Sequence, residues 1–439
     1  MSVSNKSNTV IRALGSIETR MALFHDNLNG STQGTQTIDF EADIDASIFY
    51  EAVNALYKKY IPLRCTIKRE DNELYFYRDA DLNRIDVNYI EVNTIQEKDK
   101  LVRLALDDKI EASNSLWKIS LVKLKSQASY TLIFSAHHAI IDANGMHHIA
   151  QSFFDFIASK ITGTNYFDNT EVDLPLAVDA LLREQTFAPK AEQTIARDFD
   201  TACPLESRST HWQQLKLDTV FMGKLNTQLA KDNIKFHSIV SAAMCIAMKK
   251  TQFIQTPFPF GTAVSLRFLQ DSQPSYFNPL GCYMSIASNL IEGSELDVTQ
   301  LAIKYDRALM HKIMTTCLTK SPIDINQVDA GTKQIATLHS FAQGVGITNM
   351  GDINIRSPHP SVLLTDYTML ANRVAGNFSI VAHCYAFNNV QTVSLVYPHP
   401  ILAGEHVKEV VNEMRLLLED YCAQANTNNS LHNKTTVPA

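Results

Sequence analysis

At 439 residues the chain exceeds what one core of ordinary size can serve, so two domains are expected. A hydrophobic share of 45% beside 19% charged residues excludes a disordered or fibrous protein, and no run of about 18 apolar residues is present to span a membrane. A net charge of −7 argues against a nucleic-acid partner. The seven cysteines are scattered without a Cys-x-x-Cys pair, which suits buried thiols in a reducing compartment better than a disulfide frame or a zinc site.

The opening stretch, Met1 to Asn8, is polar and lacks the apolar core of a secretion signal, so a cytoplasmic protein is expected. Ser16 to Leu28 reads as a helix with Ser16 as cap and Gly30 beyond its end. Gln36 to Glu41 alternates like a strand. Asp45 caps a helix through Tyr60, with Ile48, Phe49, Val53, Leu56 and Tyr57 on one stripe. Leu63 to Lys68 and Leu74 to Arg78 form a hairpin around Glu70 to Glu73, and Trp117 to Leu124 with Tyr130 to Ala136 form a second.

The second hairpin runs into the most informative residues of the chain. An apolar strand ends at Ala136 and delivers His137 and His138 onto a short turn, with Asp142, Asn144 and Gly145 following. A helix is expected from Met146 to Ile161, carrying His147 and His148 in a polar first turn. A side chain at a strand end before a helix is held rigidly, and histidine, with its near-neutral pKa, suits a general base. Two other readings of the cluster are a chance pairing and a metal site made with His147 and His148. No cysteine or glutamate stands at ligand spacing, and no His-Glu-x-x-His occurs, so no metal is expected.

The domain boundary is expected between Glu184 and Thr210, a span with Pro189 and Pro204 and little periodicity. The resulting division is 1–188, a linker at 189–209, 210–424, and a disordered Asn/Thr-rich tail at 425–439. The second half opens with a strand, Gln213 to Leu217, and helices Val220 to Lys231 and His237 to Lys250. A strand from Phe258 to Val264 ends at Arg267. A polar loop, Gln270 to Pro279, leads to Leu280-Gly281-Cys282-Tyr283. Then come a strand, Met284 to Ile291, a helix, Val298 to Thr315, and a strand-and-turn segment, Gly346-Ile347-Thr348-Asn349-Met350-Gly351. Strands Phe378 to Ala386 and Thr392 to Tyr397 and a helix from Ala403 to Tyr421 close the fold. The class is therefore α/β.

Three of these segments together resemble one superfamily. His137-His138-Ala139-Ile140-Ile141-Asp142-Ala143 is similar to the His-His-x-x-x-Asp-Gly pattern of the condensation domains of nonribosomal peptide synthesis and of related thioester-dependent acyltransferases, with Ala143 in place of the usual glycine. Arg267 stands where that superfamily has an arginine paired with the motif aspartate. Thr348-Asn349-Met350-Gly351 looks like the Ser-Asn-x-Gly segment of alcohol acetyltransferases. The starting Val10-Ile11-Arg12 and Leu266-Arg267-Phe268 resemble the stand-alone polyketide-associated acyltransferases of the phthiocerol dimycocerosyl transferase type. The likeness runs from about Val10 to about Glu419.

The resemblance implies two chloramphenicol-acetyltransferase-like domains in a V with a channel between them, and His138 at its middle. His138 would be the general base. His137, Asp142 and Arg267 would support it, with Asp142 and Arg267 forming a salt bridge. Asn349, Thr348 and Gly145 are candidates for the channel wall or the oxyanion. The implied reaction moves an acyl group from CoA or a phosphopantetheine-bearing carrier protein to an alcohol or amine, in natural-product, polyketide or lipid metabolism, with no bound cofactor. A monomer is expected. Two further readings are a free-standing condensation enzyme joining carrier-bound partners and an inactive carrier-docking module, against which the intact His138, Asp142 and Arg267 speak. No Gly-x-Ser-x-Gly elbow, catalytic-cysteine context or phosphate-binding loop is present to activate an ordinary ester or acid. The single base therefore calls for a substrate that is already activated.

Overall fold

The computed structural model describes residues 9–125, 129–184, 201–254, 257–271, 277–292, 297–320, 323–338, 341 and 344–432. In the first half the order is β1 (Thr9–Ala13), α1 (Ser16–Asn27), β2 (Gly34–Glu41), α2 (Ala46–Lys59), β3 (Cys65–Glu70), β4 (Glu73–Arg78), β5 (Val87–Val92), α3 (Ile95–Asp107), β6 (Trp117–Leu124), β7 (Ser129–Ala136) and α4 (Ala143–Thr162). The second half follows as β8 (Ser209–Leu217), α5 (Thr219–Asp232), α6 (Phe236–Lys250), β9 (Phe258–Ser265), α7 (Phe268–Asp271), β10 (Met284–Ile291), α8 (Val298–Lys312), α9 (Ile325–Thr337), β11 (Val345–Asp352), β12 (Leu363–Ala371), β13 (Ile380–Phe387), β14 (Val390–His399) and α10 (Gly404–His432). None of the described helices is long and apolar enough to cross a membrane.

Two large sheets organise these elements. One has the order β12-β2-β7-β6-β5, and the other β10-β9-β11-β13-β14-β8. A third, small sheet, β1-β4-β3, lies in the first half. Each large sheet has its own core. The first is built around Phe40, Phe49, Trp117, Phe134 and Phe153, and the second around Val240, Phe260, Ile380 and Leu395. In α2 the expected stripe is inward: Asp45 accepts the Ile48 N–H at 3.0 Å as N-cap, and Phe49, Val53 and Leu56 are buried.

The expected division at 189–209 is corrected in one respect. Strand β12, from the second half, pairs antiparallel with β2 from Leu363–Glu41 to Ala371–Gly34, and Val362, Leu364, Tyr367 and Met369 belong to the first core. The stretch 210–424 thus lends one strand to the first sheet while keeping its own sheet and core. The physical cause is the edge of β2, whose free N–H and C=O groups would otherwise lack a partner. Nothing local announces this pairing, because β12 alternates poorly in burial. Of the linker, residues 189–200 lie outside the described residues.

Two smaller expectations also shift. Helix α1 starts at Ser16 with Gly15 as its N-cap, and the Glu18 carboxylate accepts the Gly15 N–H at 2.7 Å. Ser16 instead donates its hydroxyl to Asp179 at 2.5 Å. The final helix continues to His432, into the tail expected to be disordered. Propagating an existing helix costs far less than starting one. Residues 433–439 lie outside the described residues.

Candidate active site

Strand β7 is central in its sheet, flanked by β2 and β6, and nearly every residue of it is buried. It therefore fixes the backbone that leaves it at His137, whose N–H donates to the Leu116 carbonyl at 2.8 Å. The turn ends at Asp142, which is the N-cap of α4 and accepts the Gly145 N–H at 3.0 Å. The helix consequently starts three residues before the expected Met146. This also accounts for Ala143: it is the first helical residue, and its backbone is not in the left-handed region that would favour glycine. Gly145 is required for a different reason, since a Cβ there would lie 2.6 Å from Ile141 Cγ1 and 3.3 Å from the Pro279 carbonyl oxygen. Its N–H is committed to Asp142.

Asp142 meets Arg267 across the two halves of the chain. The guanidinium reaches the carboxylate through Nε to Oδ2 at 2.8 Å and Nη2 to Oδ1 at 2.8 Å. This is the two-pronged geometry that only arginine supplies. The same guanidinium donates to the Asn278 and Pro279 carbonyls at 3.1 and 3.0 Å and lies 5.2 Å from the Tyr283 ring centre. Both side chains are largely buried, at 15% and 11% exposure. Backbone bonds stitch the same places together: Asp142 N–H donates to Gly281 O, and Gly281 N–H donates to Ile140 O, each at 3.0 Å.

His138 is held between these two loops and is only partly buried. Its Nδ1 lies 3.6 Å from Cys282 Sγ. Desolvation lowers its pKa, opposed by hydrogen bonding to the His138 and Ile141 backbone and by the Asp142 charge. The imidazole is therefore neutral at pH 7. His137 is different. It is fully buried, its Nδ1 accepts the Ala139 N–H at 3.1 Å, and its ring packs 4.3 Å from that of His25. Burial pushes it well below the usual histidine range, helped by the His25 and His138 charges.

His147 and His148 face different partners. His147 Nε2 shares a 2.7 Å hydrogen bond with the Tyr367 hydroxyl on β12, and His148 packs edge-on to Tyr60. Burial lowers each to about 4. Among the described residues no group of three metal-ligating side chains gathers.

Thr348 and Asn349 lie on β11, in register with His383 and Cys384 of β13. Alternation puts Thr348 on the face of His383 and Asn349 on the other. Asn349 is exposed, and its Oδ1 accepts the Gly351 N–H at 3.1 Å, with Gly351 at φ +67°. That is the geometry of a turn. Three residues of the site neighbourhood escaped sequence reasoning. Cys282 touches His138. His383 is buried and close enough for the His138 charge to lower its pKa, to about 3, after burial and Arg373. Arg373, in the loop before β13, acts on it in the same way. A lone His in an apolar strand and a lone Arg in a loop carry no sequence signal; only the non-local pairing of strands reveals them.

Two sheets, cross-linked by a donated strand and by an arginine–aspartate pair that braces a histidine turn, frame the site. A family model described as the condensation domain matches residues 13–171. The structure of polyketide synthase associated protein 5 from Mycobacterium tuberculosis superposes with a TM-score of 0.67 at 16% identity, covering 94% of this chain and 100% of that one. The starter condensation domain of rhizomide synthetase, solved with C8-CoA, gives 0.68 at 13%, covering 94% and 96%. Trichothecene 15-O-acetyltransferase from Fusarium sporotrichioides gives 0.68 at 11%, covering 96% of each chain. No curated protein matches the chain. Residues 13–171 are thus similar to a condensation domain, and the fold of the chain is that of condensation domains and related acyltransferases.

Proposed function

We propose that this protein transfers an acyl group from a thioester, on CoA or on the phosphopantetheine arm of a carrier protein, to an alcohol or amine, with His138 as general base. The observation that carries this reading is the placement of a neutral, partly exposed imidazole where loops from both halves meet, behind a buried ion pair. Nδ1 lies on the protein side, 3.6 Å from Cys282 Sγ. With the ring proton on Nδ1, the tautomer this reading requires, Nε2 is the acceptor.

Nε2 takes the proton of the acceptor O–H or N–H as its lone pair attacks the thioester carbonyl carbon. The tetrahedral oxyanion collapses, the C–S bond breaks, and the proton on Nε2 passes to the leaving thiolate. The ester or amide and a free thiol result. No covalent enzyme intermediate is needed, because a thiolate leaves readily without one. Asp142 does not touch the substrate in this scheme: it caps α4 and holds Arg267, which fixes the turn. His137, shut away with His25, sets the backbone under His138. Asn349 is a wall residue at most.

Two similar structures support the donor and the product: one was solved with C8-CoA, and another is a 15-O-acetyltransferase. Similar structures also include a condensation domain within a four-domain nonribosomal peptide synthetase, which keeps a carrier-bound donor within the proposal. The expected setting is a monomer in the cytoplasm. The test is a matched set of donors: acyl-CoA, acyl carrier protein and a simple oxygen ester, offered with a panel of alcohols and amines and read by intact mass. Transfer from a thioester, with little or none from the oxygen ester, is expected. Equal rates from all three would refute the thioester dependence.

A further inference from the structure

One face of the β9–β10 pair starts at the base. The two strands pair without a break from Met284–Ser265 to Ile291–Phe258, so their side chains alternate between two faces. Phe258, Phe260, Ala287 and Ile291 point into the second core, where Tyr305 of α8 packs on Phe260. The opposite face carries Ala263 and Gly261 on β9 and Met284, Ile286 and Leu290 on β10. No charged side chain stands on either strand. Strand β10 is the edge of its sheet, and Ile286 and Leu290 are 41% and 57% exposed. Large apolar side chains gathered on an open face mark a binding surface. The pairing runs on past Met284, since Leu266 N–H donates to the Tyr283 carbonyl at 2.8 Å. The same alternation therefore brings Cys282 to this face, and its Sγ lies 3.6 Å from His138 Nδ1.

A ring stands across the face further out. Phe378, in the loop before β13, lays its half-buried side chain on Gly261. A Cβ at Gly261 would overlap Cζ of that ring and lie 2.8 and 2.9 Å from Cε1 and Cε2, and one at Gly344 would lie 3.1 Å from Cδ1. Glycine in the strand is what lets the ring come so close. Gly261 pairs with Ser288. From Cys282 to Ser288 the strand covers about 20 Å at its ordinary rise, the length of an extended chain of about 16 carbons.

We propose that this face holds the straight alkyl chain of a long-chain fatty acyl donor, with the carbonyl at His138 and the methyl end against Phe378, and that Phe378 sets the greatest chain length accepted. The proposal rests on the acyl-transfer reading. In that reading the acceptor is held at Nε2 while Nδ1 meets Cys282, so the face that starts at Cys282 is left to the donor. Each methylene laid on Met284, Ala263 and Ile286 leaves water and adds to affinity. A chain longer than the distance to Phe378 gains nothing more.

Equilibrium binding of saturated acyl-CoAs, held below their micellar concentrations, tests this without turnover. From octanoyl- through dodecanoyl- to palmitoyl-CoA the affinity should rise about tenfold in all, a fraction of what full burial of the added methylenes would give, because the face is open on one side. It should rise no further to arachidoyl-CoA. In Phe378→Ala and Phe378→Leu, arachidoyl-CoA should bind about threefold more tightly than palmitoyl-CoA. Ile286→Ser, at an exposed position, should cut the palmitoyl-to-octanoyl ratio to about threefold or less. An affinity independent of chain length, a ratio unchanged by Ile286→Ser, a limit that stays at palmitoyl in both Phe378 variants, or failure of both to fold would each overturn the proposal. A length preference among 1-alkanols that Ile286→Ser removes, with none among acyl-CoAs, would give the face to the acceptor and overturn the donor assignment. A length preference that Ile286→Ser removes, in a protein that transfers no acyl group from any thioester, would sink the acyl-transfer reading and leave the chain-binding face standing. Transfer with no length preference would do the reverse.

Discussion

Two strand ends of this molecule look alike in sequence and differ in space. Strand β7 ends in His137 to Asp142, and strand β11 ends in Thr348 to Gly351; each is an apolar run followed by polar residues and a glycine. At the first end the polar groups find partners far along the chain. Asp142 meets Arg267, and the Asp142 backbone meets Gly281. At the second, Asn349 bonds to Gly351, two residues away. A side chain whose partner is local serves the turn it sits in. One whose partners come from the other half of the chain holds two units in fixed relation, which is what a reacting group between them needs.

The comparison can be broken by substitution, and the largest effect belongs to His138. His138→Ala should lower kcat/KM for acyl transfer by about two to four orders of magnitude with an unchanged melting temperature; transfer at the wild-type rate would remove the distinction. Asp142→Ala comes next. It strands a largely buried guanidinium and uncaps α4, so a loss of about 3–5 kcal/mol of stability is expected in urea titrations. A smaller loss in the double variant Asp142→Leu/Arg267→Met would show that the stranded charge, not the lost contact, sets that cost.

A pH series follows. His25 and His147 are each lowered to about 4 by burial, while the unfolded chain titrates near 6.5. Their contribution to stability is complete above pH 6.5 and is lost as pH falls toward 4, because the unfolded chain takes up protons first. The urea midpoint should drop between pH 7 and 5, and less steeply in His147→Gln. A flat midpoint would contradict the buried, neutral histidines. The smallest effect is assigned to Asn349→Ala: activity within about threefold of wild type and a stability loss of about 1 kcal/mol or less, for one exposed local bond. A loss of activity comparable to that of His138→Ala would erase the contrast between the two strand ends.

Much of this was legible in the sequence, and the legible part has a common property. Helices α2, α5 and α6, strands β6, β7 and β10, and the turn at His137 are written in local periodicity and in caps such as Asp45 and Asp142. The Asp142–Arg267 pair became legible only through resemblance, since nothing local joins residues 125 positions apart. What stayed hidden is non-local. Strand β12 completes the first sheet from the far end of the chain, and with it come the Tyr367 partner of His147, the Arg373 loop and His383 on the facing strand. Helix α3 was missed although its start is written locally: Thr94 Oγ1 accepts the Glu97 N–H at 3.2 Å and the Glu97 carboxylate accepts the Thr94 N–H at 3.3 Å. At Gly145, a candidate for the channel wall or the oxyanion, the N–H goes to the Asp142 cap, which nothing in the local pattern announces.

The central claim is that His138 takes the acceptor's proton, and the pH dependence of single-turnover acyl transfer tests it most directly. The base must be neutral, and desolvation holds its pKa below the usual histidine value. The wild type should therefore be fully active at pH 7 and fall along an acid limb centred below 6.5, while the residual transfer by His138→Ala should lack that limb. The same limb in His138→Ala would show that another group accepts the proton and would contradict the account.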